Sequence, residues 1–320
     1  MTADWFGTPM VPLAGGYGGE TFLVGGGDGD ELVLRIYSRH PERAMVDASL
    51  LRLVRGILPV AEVVDVRPAH DGHPGVLVTE RLPGKRLGLM MPSATAEQRV
   101  EVGRNLGRLL ATLSGIPMPR FGMFEGADLG LSADAPAVDL HSWARHYRDT
   151  SRLGGWPDPD WRGLLALVAE AEERLAGDHP AGREVEPGFV RFVLAHSDFN
   201  PKNLLVDPEN CAITGLLDWE FAHAGSPYTD LGNLTRFERH PDFVDAVVST
   251  FVAHAPKLGA DPLGLGRAVD LWALIELVGR DRLNAVGELA QDLLLAQARA
   301  GDLSAWPWDE PRRDPTATGA

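Results

Sequence analysis

Apolar and polar positions alternate through the first part of the chain. Thr21-Phe22-Leu23-Val24 and Leu32-Val33-Leu34-Arg35-Ile36-Tyr37 are rich in β-branched and aromatic residues, the pattern of half-buried strands. Between them, Gly25-Gly26-Gly27-Asp28-Gly29-Asp30 is a run of turn residues, so the two strands are expected to form a hairpin. Val46, Leu50, Leu53 and Val54 recur at helical spacing and predict one amphipathic helix. Glu62–Val66 and Val76–Thr79 predict two more strands. The pattern then breaks at Glu80-Arg81-Leu82-Pro83-Gly84, where Pro-Gly should stop the strand and redirect the chain.

Beyond this break the period changes to that of helices. Val102, Leu106, Leu109, Leu110 and Leu113 form one stripe, and Leu164, Leu165, Val168, Ala171 and Leu175 a second. Leu271, Leu274, Ile275 and Val278 form a third, and Val286, Leu289, Leu293 and Leu294 a fourth. Pro117 to Asp160, rich in Gly, Pro and Trp, gives no clear assignment. There is no internal repeat. The expected architecture is α+β and bilobal: a β-rich lobe over 1–82, a hinge at about 80–84, a mainly helical lobe over 83–305, and a disordered tail over 306–320.

Composition narrows the class. The chain has 320 residues, of which 44% are hydrophobic and 23% charged, the balance of an ordinary soluble globular protein. A net charge of −15 disfavours nucleic acid and anionic membranes as partners and favours a cationic one. One cysteine, Cys211, excludes an internal disulfide and any multi-cysteine zinc site, and fits a reducing compartment. Met1-Thr2-Ala3-Asp4-Trp5-Phe6 lacks the basic and apolar regions of a secretory signal. No uncharged apolar run reaches the ~18 residues of a membrane span. The expectation is a cytoplasmic protein, monomeric or dimeric.

The chemistry concentrates in Leu194-Ala195-His196-Ser197-Asp198-Phe199-Asn200-Pro201-Lys202-Asn203-Leu204-Leu205-Val206, where a polar loop separates two apolar runs. Asp207-Pro208-Glu209-Asn210 is a turn, so Leu204–Val206 and Ile213–Leu217 can pair as a hairpin. That pairing brings Asn203 and Asp218 to one edge, with Asp198 on the adjoining loop. Phosphoryl transfer needs hard oxygen ligands for Mg²⁺ and a carboxylate that positions the attacking hydroxyl and takes its proton. Asn203 and Asp218 suit the first task and Asp198 the second. The His-x-Asp-x-x-x-x-Asn spacing matches the catalytic loop of kinases.

On His196-Ser197-Asp198-Phe199-Asn200-Pro201-Lys202-Asn203, Leu217-Asp218-Trp219-Glu220 and Pro227-Tyr228-Thr229-Asp230-Leu231, the chain closely resembles the aminoglycoside phosphotransferase family, which has a protein-kinase-like fold. The family's usual loop is similar to His-Gly-Asp-Leu-His-Pro-Gly-Asn, from which Ser197, Asn200 and Lys202 depart. The resemblance implies that Asp198 is the catalytic base, that Asn203 and Asp218 bind Mg²⁺, and that Asp230 and His196 brace the loop. It also implies a cation on a small-lobe strand to hold the phosphates of ATP or GTP. Lysine occurs only as Lys85, Lys202 and Lys257, which leaves Arg35, on the strand face shared with Val33 and Tyr37. An acid on the small-lobe helix, Asp47 or Glu42, is expected to pair with Arg35. Gly16 and Gly18, within Gly15-Gly16-Tyr17-Gly18-Gly19, would let backbone approach the phosphates. Backbone groups from Glu80 to Leu82 would hold the base. No P-loop motif is present.

The acceptor is expected to be a small molecule with a hydroxyl, of the kind the resembled family modifies: an aminoglycoside-like or other cationic antibiotic. Asp270, Glu276 and Asp281 are candidate recognition acids, while Trp143, Trp156, Trp161 and Trp272 line a wall or pack in the core. Alternatives are a kinase of a small metabolite such as an amino alcohol or sugar, and a metal-dependent hydrolase using His196, Asp198, Asp218 and His223. A kinase fold that only binds is disfavoured by the presence of Asp198, Asn203 and Asp218.

Overall fold

A computed structural model describes residues 10–13, 19–25, 31–132, 139–177, 191–255, 258–280 and 284–308. Strands β1 (Met10–Leu13), β2 (Glu20–Val24), β3 (Leu32–Tyr37), β4 (Val63–Arg67) and β5 (Gly75–Glu80) form one antiparallel sheet in the order β1-β2-β3-β5-β4. The expected hairpin is β2 against β3, with Thr21 opposite Arg35. Residues 26–30 of its turn, and Gly16 and Gly18, lie outside the described residues. The two faces of the sheet behave as the alternation requires. Leu34 packs with Val24 and Val78 on one face, whereas Tyr37 and Leu77 join the main core on the other. Helix α1 (Arg43–Val54) covers that second face and buries Val46, Leu50, Leu51 and Val54. Leu53, which the stripe placed inward, is exposed, and Leu51 takes its place.

Glu80 ends β5 and Lys85 opens β6 (Lys85–Arg86), which leads into α2 (Leu87–Met90). Gly84 makes this crossing possible. Its φ of 114° lies where side chains are strained, and a Cβ there would come within 2.4 Å of Thr214 Oγ1. The larger lobe continues with α3 (Ala96–Leu113), β7 (Pro117–Met118), β8 (Gly122–Glu125), β9 (Gly130–Leu131), α4 (Leu140–Thr150) and α5 (Asp158–Ala176). After these come β10 (Phe192–Ala195), β11 (Leu204–Val206), β12 (Ile213–Leu216) and β13 (His223–Gly225). The chain then forms α6 (Thr229–Thr235), α7 (Pro241–His254), α8 (Pro262–Gly279) and α9 (Ala285–Ala300). The segment from Pro117 to Asp160 therefore holds three short strands and α4. Thr95 starts α3 with a capping box closed by Gln98, which satisfies otherwise unpaired N–H groups. Gly103 and Gly107 let α7 approach α3 closely: a Cβ at either would lie 2.8 Å or less from the carbonyl of Phe243 or Val247.

Two cores result. One runs from Tyr37 and α1 through α3, the loop between β10 and β11, and α7; the other joins α4, α5, α8 and α9. The first residues of the expected disordered tail are ordered against the second core: Trp306 and Trp308 pack on it, ring to ring at 4.6 Å, and Arg239 stacks over Trp306. The apolar tryptophan faces outweigh the disorder-promoting composition there. Residues 309–320 lie outside the described residues. No helix among the described residues is long and apolar enough to cross a membrane.

Candidate active site

The polar loop between β10 and β11 and the turn after β12 meet where the sequence reading places them. β11 and β12 pair with Leu204 opposite Leu216, and the Leu217 N–H donates to the Asn203 carbonyl at 2.8 Å. This bond sets Asn203 beside Asp218. The Asn203 amide donates to Asp198 twice, to its carbonyl oxygen at 2.9 Å and to its Oδ2 at 2.7 Å. Asn200 donates to Asp198 Oδ1 at 2.6 Å, and Lys202 Nζ lies 3.0 Å from Oδ2. The Asp198 carboxylate is thus fixed from several sides by residues of its own loop.

Beneath it, His196 and Asp230 are buried. The Asp230 carboxylate accepts the N–H groups of His196 at 2.9 Å and Ser197 at 2.7 Å. Burial pushes the Asp230 carboxyl up to about 7, against the pull of those two donors. Burial holds the His196 imidazole down at about 4, so the ring is neutral near neutral pH. A single tautomer satisfies its contacts: Nε2–H donates to the Leu217 carbonyl at 2.9 Å, and Nδ1 accepts the Asp198 N–H at 3.3 Å. His196 therefore ties the Asp198 loop to the Asp218 turn. Ser197, with φ 65°, and Asp218, with φ 66°, both adopt the left-handed conformation that non-glycine residues avoid. At Ser197 a hydrogen bond from Oγ to His223 Nδ1 at 2.8 Å offsets part of that strain.

Across the cleft, Arg35 reaches out of β3. Its Nη1 lies 2.5 Å from Asp218 Oδ1 and its Nη2 2.6 Å from Glu220 Oε2, all three side chains being largely buried. Burial works against the Arg35 charge, but Asp218, Tyr37 and Glu220 outweigh it and raise the guanidinium's proton affinity. The expected pairing with an acid of α1 is not what forms. Asp47 is buried and taken by Arg43 Nη2 at 2.8 Å and Tyr37 Oη at 2.7 Å, while Arg43 also donates to the Trp219 carbonyl at 3.0 Å. An aspartate is one methylene shorter than a glutamate, and Arg43 lies one helical turn before it, so the local pair wins. Glu42 is exposed beside His40.

Three further sites complete the comparison with the sequence reading. The Glu80 N–H is committed to the Glu62 carbonyl at 3.0 Å, and Leu82 leans on β12 at Gly215. Asp270 is not a surface acid: it is buried in α8 and accepts Arg236 Nε at 2.8 Å, Arg236 Nη2 at 2.6 Å and the Asn233 amide at 3.1 Å. Asp270 is buried and its charge is matched by Arg236, so it is not presented to a substrate, and a carboxylate buried without such partners would be costly. Glu276 is partly exposed and pairs with Arg280 one turn on, at 3.1 Å. Asp281 lies outside the described residues. Sequence reasoning missed Glu220 and Arg43. Their signals were the acid two residues after Asp218 and the (i, i+4) spacing to Asp47.

The donor set suits a hard cation. No group of three or more His, Cys, Asp or Glu side chains placed to hold a metal occurs among the described residues. His196 has both ring nitrogens occupied, which removes it from a hydrolase-type ligand set. Mg²⁺ keeps several waters and takes one or two carboxylates or amide oxygens. Asn203 and Asp218 fit that demand, and the guanidinium already seated on Asp218 marks its carboxylate as a cation site.

The profile of the phosphotransferase enzyme family matches residues 10–260. The chain belongs to that family. As a member it is an enzyme, a small-molecule kinase with the α+β bilobal fold. Among solved structures, a thermostable mutant of aminoglycoside phosphotransferase APH(4)-Ia with AMP-PNP and hygromycin B is 18% identical. It superposes with a TM-score of 0.61 over 91% of this chain and 92% of that one. A mutant aminoglycoside 2′-phosphotransferase-IIIa with GDP is 16% identical, with a TM-score of 0.59 over 92% and 86% of the two chains. At such identities the likeness is one of fold. The mouse acyl-CoA dehydrogenase family member 11 is 40% identical over 48 residues, which is 15% of this chain and 6% of that protein. The phosphotransferase described here thus spans a small part of that curated relative.

Proposed function

We propose that this phosphotransferase moves the terminal phosphoryl group of ATP or GTP to a hydroxyl of a small molecule. The carrying observation is the convergence of Asp198, Asn203, Asp218 and Arg35, from both lobes, on one cleft. Asp198, fixed by Asn200 and Asn203, orients the acceptor hydroxyl and takes its proton. Arg35 grips phosphate oxygens with the planar fork that now holds Asp218 and Glu220. Mg²⁺, when bound, neutralises phosphate charge, and Asn203 and Asp218 would hold it. His196 and Asp230 keep the loop and the turn in register.

For the acceptor, the acidic balance of the chain supports an aminoglycoside-like or other cationic antibiotic, and two structural neighbours carry aminoglycoside phosphotransferase names. A specific observation favours the alternative, a small metabolite such as an amino alcohol or sugar. Asp270 is neutralised by Arg236, which takes one acid away from a polycationic ligand. A screen of aminoglycosides, peptide antibiotics, amino alcohols and sugars for stimulated nucleotide consumption in Mg²⁺ separates the two. A hit among antibiotics, with raised resistance in a susceptible host, supports the first. Stimulation by metabolites alone supports the second, and hydrolysis of substrates without nucleotide would overturn both.

A further inference from the structure

Lys202 is the one charged side chain of the catalytic loop to which the mechanism above gives no task. Its Nζ sits 3.0 Å from Asp198 Oδ2, on the carboxylate that must receive the acceptor's proton. Its side chain is 38% exposed, and ion pairs so exposed add little stability, so fold maintenance does not explain it. Its backbone, by contrast, is fixed. The Lys202 N–H donates to Asn200 Oδ1 at 3.2 Å, and the neighbouring Pro201 carbonyl accepts the Gly88 N–H at 3.0 Å. A part-exposed, flexible ammonium therefore springs from a rigid base beside Asp198.

Charge on the phosphate side is unevenly supplied. Arg35, the phosphate grip of the reading above, sits beside Asp218 and Glu220 rather than Asp198, and Arg236 is committed to Asp270. On that reading, a nucleoside triphosphate whose terminal phosphoryl group reaches an acceptor held by Asp198 brings several negative charges beside this carboxylate. Lys202 is the cation next to that point. The chemistry of the residue fits as well. The chain uses arginine for all but three of its 30 basic positions, yet here carries an ammonium. An ammonium has three donors and no planar constraint, so it can hold a carboxylate oxygen and phosphate oxygens at once.

We propose that Lys202 is a catalytic residue for the terminal phosphoryl group. With triphosphate bound, its ammonium bridges Asp198 Oδ2 and the γ-phosphate and remains on that group during transfer. The bond from the acceptor oxygen to phosphorus forms as the bond from phosphorus to the β,γ-bridging oxygen breaks. The electron pair leaves on the nucleoside diphosphate, the hydroxyl proton passes to Asp198, and Lys202 neither gains nor loses a proton. This inference rests on the phosphotransfer reading above.

The test is equilibrium binding of a nucleoside diphosphate and of its non-hydrolysable β,γ-imido triphosphate to wild type, Lys202→Met and Lys202→Arg, in Mg²⁺, with adenine and guanine forms both tried. Lys202→Met is expected to weaken the triphosphate about 10- to 100-fold, the size of a lost charged hydrogen bond, and the diphosphate less than about threefold. The turnover number of Lys202→Met should fall by a similar factor, and Lys202→Arg should recover part of both losses. Thermal melting of the Met variant, unchanged, shows that the fold is intact. Equal weakening of both nucleotides, or of neither, would overturn the role of Lys202. Wild type that binds neither nucleotide would instead overturn the phosphotransfer reading, and this inference with it.

Discussion

Asp198 and Arg35 flank the paired Asn203 and Asp218 segments, one through Asn203 and the other through Asp218, but their surroundings are built differently. Asp198 is held by Asn200, Lys202 and Asn203, none more than five residues away. Arg35 is held by Asp218 and Glu220, which lie 183 and 185 residues further along the chain. The Asp198 carboxylate is fixed locally, by side chains of its own loop, while Asp230 and Leu217 brace that loop from further along the same lobe. The Arg35 network exists only when the two lobes are together. In the proposed reading the base is therefore preformed in one lobe, while the phosphate grip reports the closeness of both. The acid of α1 takes no direct part, since Asp47 serves Arg43 and Tyr37.

Substitutions on either side test this division. On nucleotide binding, the largest effect is expected at Arg35. Arg35→Gln should raise the nucleotide dissociation constant about 10- to 100-fold, the worth of charged hydrogen bonds. Asp47→Asn should do the reverse of what an α1 pairing requires. It breaks a buried ion pair, so it should cost about 3 kcal/mol of stability in denaturant titrations, with nucleotide affinity kept within about threefold. If Asp47→Asn instead weakens nucleotide as much as Arg35→Gln does, the α1 acid holds Arg35 in the working enzyme.

The loop's bracing predicts a pH signature. His196 is held at about 4, below its ordinary 6.5, so the folded state binds protons less readily than the unfolded one. Its contribution is present above about 6.5 and is lost as pH falls toward 4, by up to about 3 kcal/mol. Asp230, raised to about 7 from 3.8, acts in the opposite sense. Its penalty is absent at low pH and grows as pH rises through that range. Between pH 4 and 6.5 the two slopes oppose each other. In His196→Gln only the Asp230 slope remains, so the stability gap to wild type should narrow on acidification. A gap that stays constant from pH 7 to pH 4 would contradict the assigned neutral ring.

The smallest effect is expected at Ser197. Ser197→Gly relieves the left-handed strain but loses the hydrogen bond to His223. Each is worth about 1 kcal/mol, so the melting temperature should move little in either direction.

The same contrast of local and distant contacts explains what could be read from the sequence. The β11–β12 hairpin followed from its Asp-Pro-Glu-Asn turn, and the meeting of Asp198, Asn203 and Asp218 followed from the hairpin. The stripes of α3, α5 and α9 were legible because each buries one face, and that of α8 because its apolar residues recur at helical spacing although the helix is buried almost all round. Helix α7 was not singled out, although Phe243, Val244, Val247 and Phe251 form a buried stripe at the same spacing. Arg35's partners could not be read, because nothing local to β3 specifies a contact with residues in the other lobe. Asp270 misled for the same reason: its partner Arg236 lies 34 residues before it on α6's cap, and only packing of α6 on α8 shows that its charge is already matched.

The central claim is that Asp198 takes the acceptor's proton in a site that binds nucleotide without its help. Turnover and nucleotide affinity of Asp198→Asn, measured on the same preparation with an acceptor found by the screen, test it most directly. The account expects nucleotide affinity within about threefold of wild type and turnover lowered about 10²- to 10⁴-fold, the span of general-base catalysis. Turnover close to wild type, with nucleotide still bound, would contradict it.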